Sequence, residues 1–195
     1  MISLNRLRSL ITEAPVHERK VEIKTYPLGE KEVIVEGWLT DKRLIEGYRW
    51  DGEKRSPEVV HRLGVIMRLG GWPLTILDAG AEMVNIPHGQ CGVTLSSVAK
   101  IIGIAIVAGF TEEVRRRLGG VKGCTHLTYL IVAMAPAALH GFWTSASRVP
   151  PKIPGSLKEF PALKQLKNSC TLWREGGPLM KEIADTIERL NNKER

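Results

Sequence analysis

Two histidine–cysteine pairs are the residues of this chain best suited to chemistry. His88 stands three residues before Cys91, and Cys124 stands two residues before His126. Thiolate and imidazole groups are preferred ligands of zinc, and thiolates are the usual ligands of iron–sulfur centres. Both cysteines precede predicted helices, and the start of a helix stabilises negative charge. The two pairs therefore indicate a small metal site.

The same residues also have simpler explanations. Unpaired cysteine is among the most buried residue types, so Cys91 and Cys124 could pack in the core. A third possibility is a nucleophilic or redox-active thiol without any metal. Residues two apart on a helix point about 200° apart. Cys124 and His126 can therefore share one ion only if Cys124 precedes the regular helix.

Other polar residues are weaker candidates. Asp78 and Glu82 share one face of a predicted strand and could supply a general base, although an exposed strand face explains them equally well. His61 heads a strand, and His140 lies near the predicted end of a helix, where C-terminal capping is a sufficient role. Phosphate-binding loops, Gly-x-Ser-x-Gly elbows and His-Glu-x-x-His motifs are absent, which disfavours the common nucleotide-binding and hydrolase classes.

Composition and charge favour an ordinary globular protein. The chain has 195 residues, of which 43% are hydrophobic and 25% charged. The net charge is +7, but the basic residues are scattered and only 6% of residues are aromatic, so nucleic acid is an unfavoured partner. No apolar stretch provides the roughly 20 uninterrupted residues of a membrane span. We therefore expect no membrane association.

Cysteine usage points to a reducing compartment. The three cysteines at 91, 124 and 170 are odd in number and far apart, which argues against a disulfide framework. The first residues of the chain lack the apolar core and cleavage site of a secretory signal. We therefore expect a cytoplasmic protein.

The first half of the chain has the alternation of β-strands. Val21–Tyr26 and Glu32–Leu39 flank a Pro-Leu-Gly turn and predict a hairpin. Val59–Leu69 and Leu74–Ile86 predict two further strands, separated by a Gly-Gly-Trp-Pro break. Residues 41–57 are polar and predict a loop. A β-meander is the simplest arrangement of these elements.

The second half changes to helical periodicity. Thr94–Ile102 predicts one helix, and Thr111–Gly119 predicts another in which Thr111 is the N-cap. Thr125–Leu139 is apolar on nearly all sides and predicts a buried helix bent at Pro136. A proline-rich linker follows. Beyond it we predict two more helices, residues 157–166 and a last one from Pro178.

These elements predict an α+β fold, with a small antiparallel β-meander packed on helices, an N-terminal hairpin and a C-terminal helical extension. We divide the chain into a peripheral segment (residues 1–19), a core domain (20–148) and a linker with helical extension (149–195).

Residues 20–175 resemble an uncharacterised bacterial domain family of unknown function. The match rests on His61 at the head of a strand, the Pro87 to Cys91 spacing, the Ile-Ile-Gly step at 101–103, the Gly-Gly-x-x-Gly-Cys-Thr-His-Leu signature at 119–127 and Asn168-Ser169-Cys170. This resemblance implies no activity.

The order of elements is also remotely similar to the NifU-like iron–sulfur assembly scaffolds, with which SufE-like folds are grouped. That resemblance implies that His61, Cys91 and Cys124 converge at one end of the sheet, with His126 nearby as a further ligand. Histidine stands where the scaffolds have their first cysteine, which fits zinc better than an iron–sulfur cluster.

Three functions follow as hypotheses. The favoured one is a metal-binding accessory protein or subunit that acts with a protein partner or as a homo-oligomer. The alternatives are an enzyme that uses an open coordination position, with Asp78 or Glu82 as base, and a thiol protein without metal.

Overall fold

The fold centres on a four-stranded antiparallel sheet, which the computed structural model describes together with its helices for residues 3–193. The sheet order is β1-β2-β5-β6, a meander interrupted by a small separate hairpin. The strands are β1 (His17–Leu28), β2 (Glu32–Arg43), β3 (Gly47–Tyr48), β4 (Lys54–Arg55), β5 (Glu58–Gly70) and β6 (Thr75–Asn85). The predicted α+β class, the β1–β2 hairpin and the β-meander are confirmed.

One helix precedes the sheet in the chain, and the others follow it. They are a short α1 before β1 and four later helices: α1 (Leu4–Arg8), α2 (Phe110–Leu118), α3 (Thr125–Ala146), α4 (Leu163–Leu166) and α5 (Pro178–Lys193). Three 3-10 segments, Gly89–Ile101, Gly120–Lys122 and Leu157–Glu159, complete the described elements.

One face of the sheet is buried against α3. Along β2 the residues at 33, 35, 37, 39 and 41 are all buried, while those between them are half-buried. A Cβ atom at Gly37 would lie 2.7 Å from the sulfur of Met134, so only glycine allows α3 to approach this closely. The close approach of α3 to the sheet therefore depends on the lack of a side chain at Gly37.

Helix α3 is longer than its sequence pattern predicts. It continues through Pro136 and His140 to Ala146, so the predicted end at Leu139 and the capping role of His140 are wrong. The extra two turns are held by Phe142, which packs against the core and stacks on Trp72 with ring centroids 5.7 Å apart.

Helix α3 is long and apolar enough to cross a membrane when judged by length and composition alone, and within residues 3–193 no other helix meets that test. Its buried residues, among them Leu127, Leu130, Ile131 and Met134, belong to the same core as the sheet. This part of α3 therefore packs in the core of the domain.

Two predicted helices differ in detail. Residues 89–101 form a 3-10 helix rather than an α-helix, and Val98 and Ile101, three residues apart, point into the core as three residues per turn requires. Helix α2 begins at Phe110 with Gly109 as its N-cap, so Thr111 is not the cap. The buried stripe Phe110, Val114 and Leu118 explains the earlier start.

The two regions outside the core also depart from prediction. Residues 41–57, predicted as a loop, contain the end of β2 and the β3–β4 hairpin, which exposes Tyr48 and Trp50. The predicted helix over 157–166 is instead a 3-10 turn followed by α4. The last helix is confirmed as α5, with Met180 and Ile187 buried.

Candidate metal centre

Three potential ligands from three different elements meet at one end of the sheet. Asp41 lies near the end of β2, His61 near the start of β5 and His126 in the first turn of α3. One ligand atom from each lies within 4.8 Å of the others. Nδ1 of His61 is 3.2 Å from Oδ2 of Asp41, and Nε2 of His126 is 3.8 Å from the same oxygen. The imidazole ring centroids are 4.0 Å apart.

Strand pairing and burial explain why these residues meet. Asp41 pairs directly with His61 across the β2–β5 ladder, and the register shifts immediately afterwards. Such bulges bend a strand and redirect its side chains, and they are frequent near functional sites. Asp41 also continues the buried face of β2, so its side chain is only 4% exposed. A carboxylate is thereby placed where the preceding residues point into the core.

Cys124 lies on the far side of the His126 ring. It is the N-cap of α3, so it precedes the regular helix, as the sequence required for the two side chains to act together. Its Sγ is 3.9 Å from Nδ1 of His126, the nitrogen that does not face Asp41. When Nδ1–H donates to the sulfur, Nε2 keeps its lone pair toward Asp41. Cys124 is thus placed to orient His126.

Arg19 holds the carboxylate. Its Nε and one terminal nitrogen donate to the two oxygens of Asp41 at 2.6 and 2.7 Å, a bidentate geometry. These hydrogen bonds and the charge of Arg19 lower the pKa of Asp41 against the opposing effect of burial, and the same hydrogen bond raises the pKa of Arg19. Nε2 of His17 lies 3.4 Å from Asp41 on the open side. Asp41 is therefore a carboxylate at neutral pH.

His126 has a neutral ring, and His61 has a buried ring nitrogen without a hydrogen-bond partner. Burial, reinforced by the charges of His61 and Arg19, lowers the pKa of His126, so its ring is neutral at neutral pH. Nδ1 of His61 is buried and has no hydrogen-bond partner, because the approach to Asp41 has the distance but not the angle of a hydrogen bond. Buried polar atoms without a partner are rare and call for an explanation.

A metal ion at this position would satisfy that nitrogen. Ligand bonds of 2.0–2.1 Å in a tetrahedron separate neighbouring ligand atoms by about 3.3 Å. The observed 3.2 and 3.8 Å approach that spacing. Two imidazoles and one carboxylate suit zinc or iron(II), whereas an iron–sulfur cluster is held mainly by thiolates. The three residues thus fit a single transition-metal ion.

Of the four ligands predicted from sequence, the structure brings His61 and His126 into this group and places Cys124 beside it. Cys91 lies outside the group, half-buried in the 3-10 helix, where its N–H donates to the carbonyl of His88. Asp78 and Glu82 are exposed on β6 and also lie outside it. Cys170 is exposed in the C-terminal extension.

Sequence reasoning missed Asp41 and Arg19. Asp41 is the fifth member of an alternating series, Val33, Val35, Gly37, Leu39, Asp41, whose other members are small or apolar. A carboxylate at a core position of a strand is uncommon and needs a partner. That signal was present in the sequence, but the polar residues after Asp41 indicated a loop instead.

Comparison with known proteins places the chain in a family without a known activity. Neither the curated proteins nor the solved structures include a significant match. The family model described as "protein of unknown function (DUF2889)" matches residues 17–140, more than half of the chain, and this range contains Arg19, Asp41, His61, Cys124 and His126. The chain therefore belongs to the DUF2889 family.

Proposed function

We propose that this protein binds one divalent transition-metal ion through Asp41, His61 and His126, that the ion is zinc, and that the protein acts as a cytoplasmic accessory protein or subunit. The observation that carries the proposal is the convergence of three ligand atoms within 4.8 Å around the buried, unpartnered Nδ1 of His61. The three unpaired cysteines support a reducing compartment.

Arg19 positions a ligand in this proposal and does not replace the metal. Each carboxylate oxygen has two acceptor lone pairs, so Asp41 can accept both hydrogen bonds from Arg19 and still coordinate an ion. The guanidinium nevertheless offsets the charge of Asp41. A centre containing a divalent ion, one carboxylate and one guanidinium stays cationic, so an anionic group fits its open position best.

The accessory function is supported by exposed aromatic residues in the connection between two ligand-bearing strands. The β3–β4 hairpin lies between the strands that carry Asp41 and His61, and its Tyr48 and Trp50 are 74% and 91% exposed. Tyrosine and tryptophan are the residues most enriched at protein-binding hot spots. A protein partner that covers this hairpin would stand close to the metal centre.

A second candidate function is a metal-dependent enzyme. Three protein ligands leave at least one coordination position open, as in catalytic zinc sites. The side chains of His61 and His126 are 17% and 29% exposed, so water or a substrate can reach the ion. A NifU-like cluster scaffold is less well supported, because Cys124 faces the ring nitrogen of His126 that points away from Asp41.

Element analysis of untagged protein tests the metal site. We expect about one zinc per chain in the wild type and its loss in His61→Ala and His126→Ala. His88→Ala and Cys91→Ala are matched controls that we expect to retain the ion, since both residues lie outside the group. Wild-type protein that takes up no metal after incubation with zinc, but in which one thiol reacts rapidly, would favour the thiol hypothesis and refute the metal site.

The partner and enzyme hypotheses then separate with the metal-loaded protein. The accessory hypothesis predicts a partner retained by wild type and lost in Tyr48→Ser/Trp50→Ser, with metal content unchanged. The enzyme hypothesis predicts turnover of an anionic substrate that Tyr48→Ser/Trp50→Ser does not change and His126→Ala abolishes.

A further inference from the structure

A second candidate site lies at the opposite end of α3. His126 and Trp143 are seventeen residues apart on this helix, a distance of about 25 Å. Around Trp143, the end of α3, residues 151–166 and α5 line an open cavity of about 720 Å³. Small-molecule sites have volumes of about 300–1,000 Å³, so the cavity has the size of a ligand pocket.

The walls of the cavity are largely apolar and include four aromatic side chains. Its main lining residues are Trp72, Phe142, Trp143, Ile153, Phe160 and Ile187. The segment from Pro151 to Pro161 forms part of the wall, and its three prolines, Pro151, Pro154 and Pro161, restrict the backbone there. The lining therefore suits a hydrocarbon chain or an aromatic ring.

One side chain that lines the cavity has a polar atom without a partner, and a second such side chain lies next to a lining residue in the sequence. Nε1 of Trp143 and both amide atoms of Gln165 are buried and make no hydrogen bond. Trp143 lines the cavity, and Gln165 is adjacent in sequence to the lining residue Leu166. They account for three of the five such atoms among the described side chains, and His61 at the metal centre supplies a fourth. A polar group on a ligand that reaches the indole N–H of Trp143 would satisfy that atom.

The lining of the cavity carries one positive charge, which favours an anionic ligand. Lys152 is the single charged residue among those that line the cavity, and within residues 3–193 it forms no salt bridge. A carboxylate beside Lys152 would pair its charge while the rest of the molecule stays in the apolar interior.

We propose that this cavity binds an apolar carboxylic acid, whose hydrocarbon part fills the space between α3 and α5. Its carboxylate pairs with Lys152 and accepts a hydrogen bond from the indole N–H of Trp143. The site is independent of the metal centre and does not rest on the proposed function.

Binding of dodecanoate, dodecanol and dodecylamine to the full-length protein tests this proposal. The three probes share a hydrocarbon chain and differ in the charge of the head group. Each is titrated below its critical micelle concentration, with displacement of a fluorescent apolar dye as the signal. We expect saturable binding at one site per chain, with dodecanoate tightest and dodecylamine weakest.

Two pairs of variants locate the site. Lys152→Ala should weaken dodecanoate binding about 2- to 5-fold, the range for an exposed charge pair, and leave dodecanol unchanged. The exposed Lys158→Ala nearby is its control. Ala146→Trp, at the rim of the cavity, should block all three probes, whereas Thr144→Trp, exposed on the same helix outside the lining, should block none.

Circular dichroism of each variant shows whether it has folded, and the control pairs keep the proposal refutable if one variant has not. Equal affinity for the three probes, or unchanged dodecanoate binding in both Lys152→Ala and Ala146→Trp, would overturn the assignment. Dimerisation that Ala146→Trp abolishes, without any dodecanoate binding, would assign the cavity to a second copy of the chain and would also overturn it.

Discussion

The pair formed by Arg19 and Asp41 gives the sharpest test of the metal centre. The carboxylate of Asp41 is 4% exposed and the Arg19 side chain 37%, so removal of Arg19 leaves a buried charge without its main partner. Breaking a fully buried ion pair costs about 3–5 kcal/mol. Because Arg19 is partly in water and three histidines stand near Asp41, we expect Arg19→Met to lower the free energy of unfolding by about 2–3 kcal/mol.

Zinc should reverse much of this loss. A divalent cation beside Asp41 supplies the positive charge that Arg19→Met removes, and a ligand at 100 times its dissociation constant stabilises the folded state by about 2.7 kcal/mol. Asp41→Asn should be destabilised to a similar extent, but zinc should stabilise it much less, since the anionic ligand is gone. Urea unfolding with and without zinc measures both effects.

A second salt bridge on the sheet is the control for the size of the loss in unfolding free energy. Arg68 and Glu32 form a salt bridge of 3.8 Å between side chains that are both at least one-third exposed. Arg68→Met should therefore cost less than about 1 kcal/mol and show no dependence on zinc. Equal, small losses in Arg19→Met and Arg68→Met would refute the buried carboxylate. Equal stabilisation of Asp41→Asn and wild type by zinc would remove Asp41 from the ligand set.

Three further results follow from the structure. The imidazole of His126 should titrate below pH 6.5 in an NMR pH series, because its pKa is lowered in the folded protein. The unfolded chain therefore binds the proton first as the pH falls. The free energy of unfolding of the metal-free protein should consequently decrease as the pH drops through 6.5. Cys124→Val should weaken zinc binding about 10-fold. Cys124→Ser should weaken it less, since the serine hydroxyl can still accept a hydrogen bond from Nδ1–H of His126. Equal zinc affinities of the two variants and the wild type in a competition titration would contradict the orienting role of Cys124. Gly37→Ala should lower the free energy of unfolding by about 1–3 kcal/mol, because the added methyl group clashes with Met134. Gly89→Ala is the control and should change it little, since the space around Gly89 is open. Similar urea unfolding midpoints for the two variants would contradict the close approach of α3 to the sheet.

The sheet was predictable because each strand carries its own signal. Alternation within Glu32–Leu39 and the turn before it define the hairpin without knowledge of the rest of the fold, and the observed β1–β2 register agrees. The end of α3 was not predictable in this way. Its last two turns depend on Phe142 stacking against Trp72, a contact across 70 residues that no local pattern contains.

The metal centre illustrates the same limit. His126 was identified by its spacing from Cys124 and His61 by the remote resemblance to the NifU-like scaffolds, but their common partner, Asp41, depends on the pairing of β2 with β5. The sequence also could not distinguish the two sides of the His126 ring. That distinction places Cys124 next to Nδ1 and Asp41 next to Nε2.

The family match separates the two candidate sites. The matched residues 17–140 include every proposed metal ligand together with Arg19 and Cys124, whereas all residues lining the apolar cavity except Trp72 lie beyond residue 140. A function common to the family must reside in the region its members share, which contains the candidate metal centre. The cavity at the other end of α3 lies almost wholly outside that region. Because α3 is one continuous helix from Thr125 to Ala146, a shift of its C-terminal turns when a ligand binds would reach His126 directly. Zinc affinity measured with and without dodecanoate therefore decides whether the two ends are coupled, and any coupling must be equal in both directions.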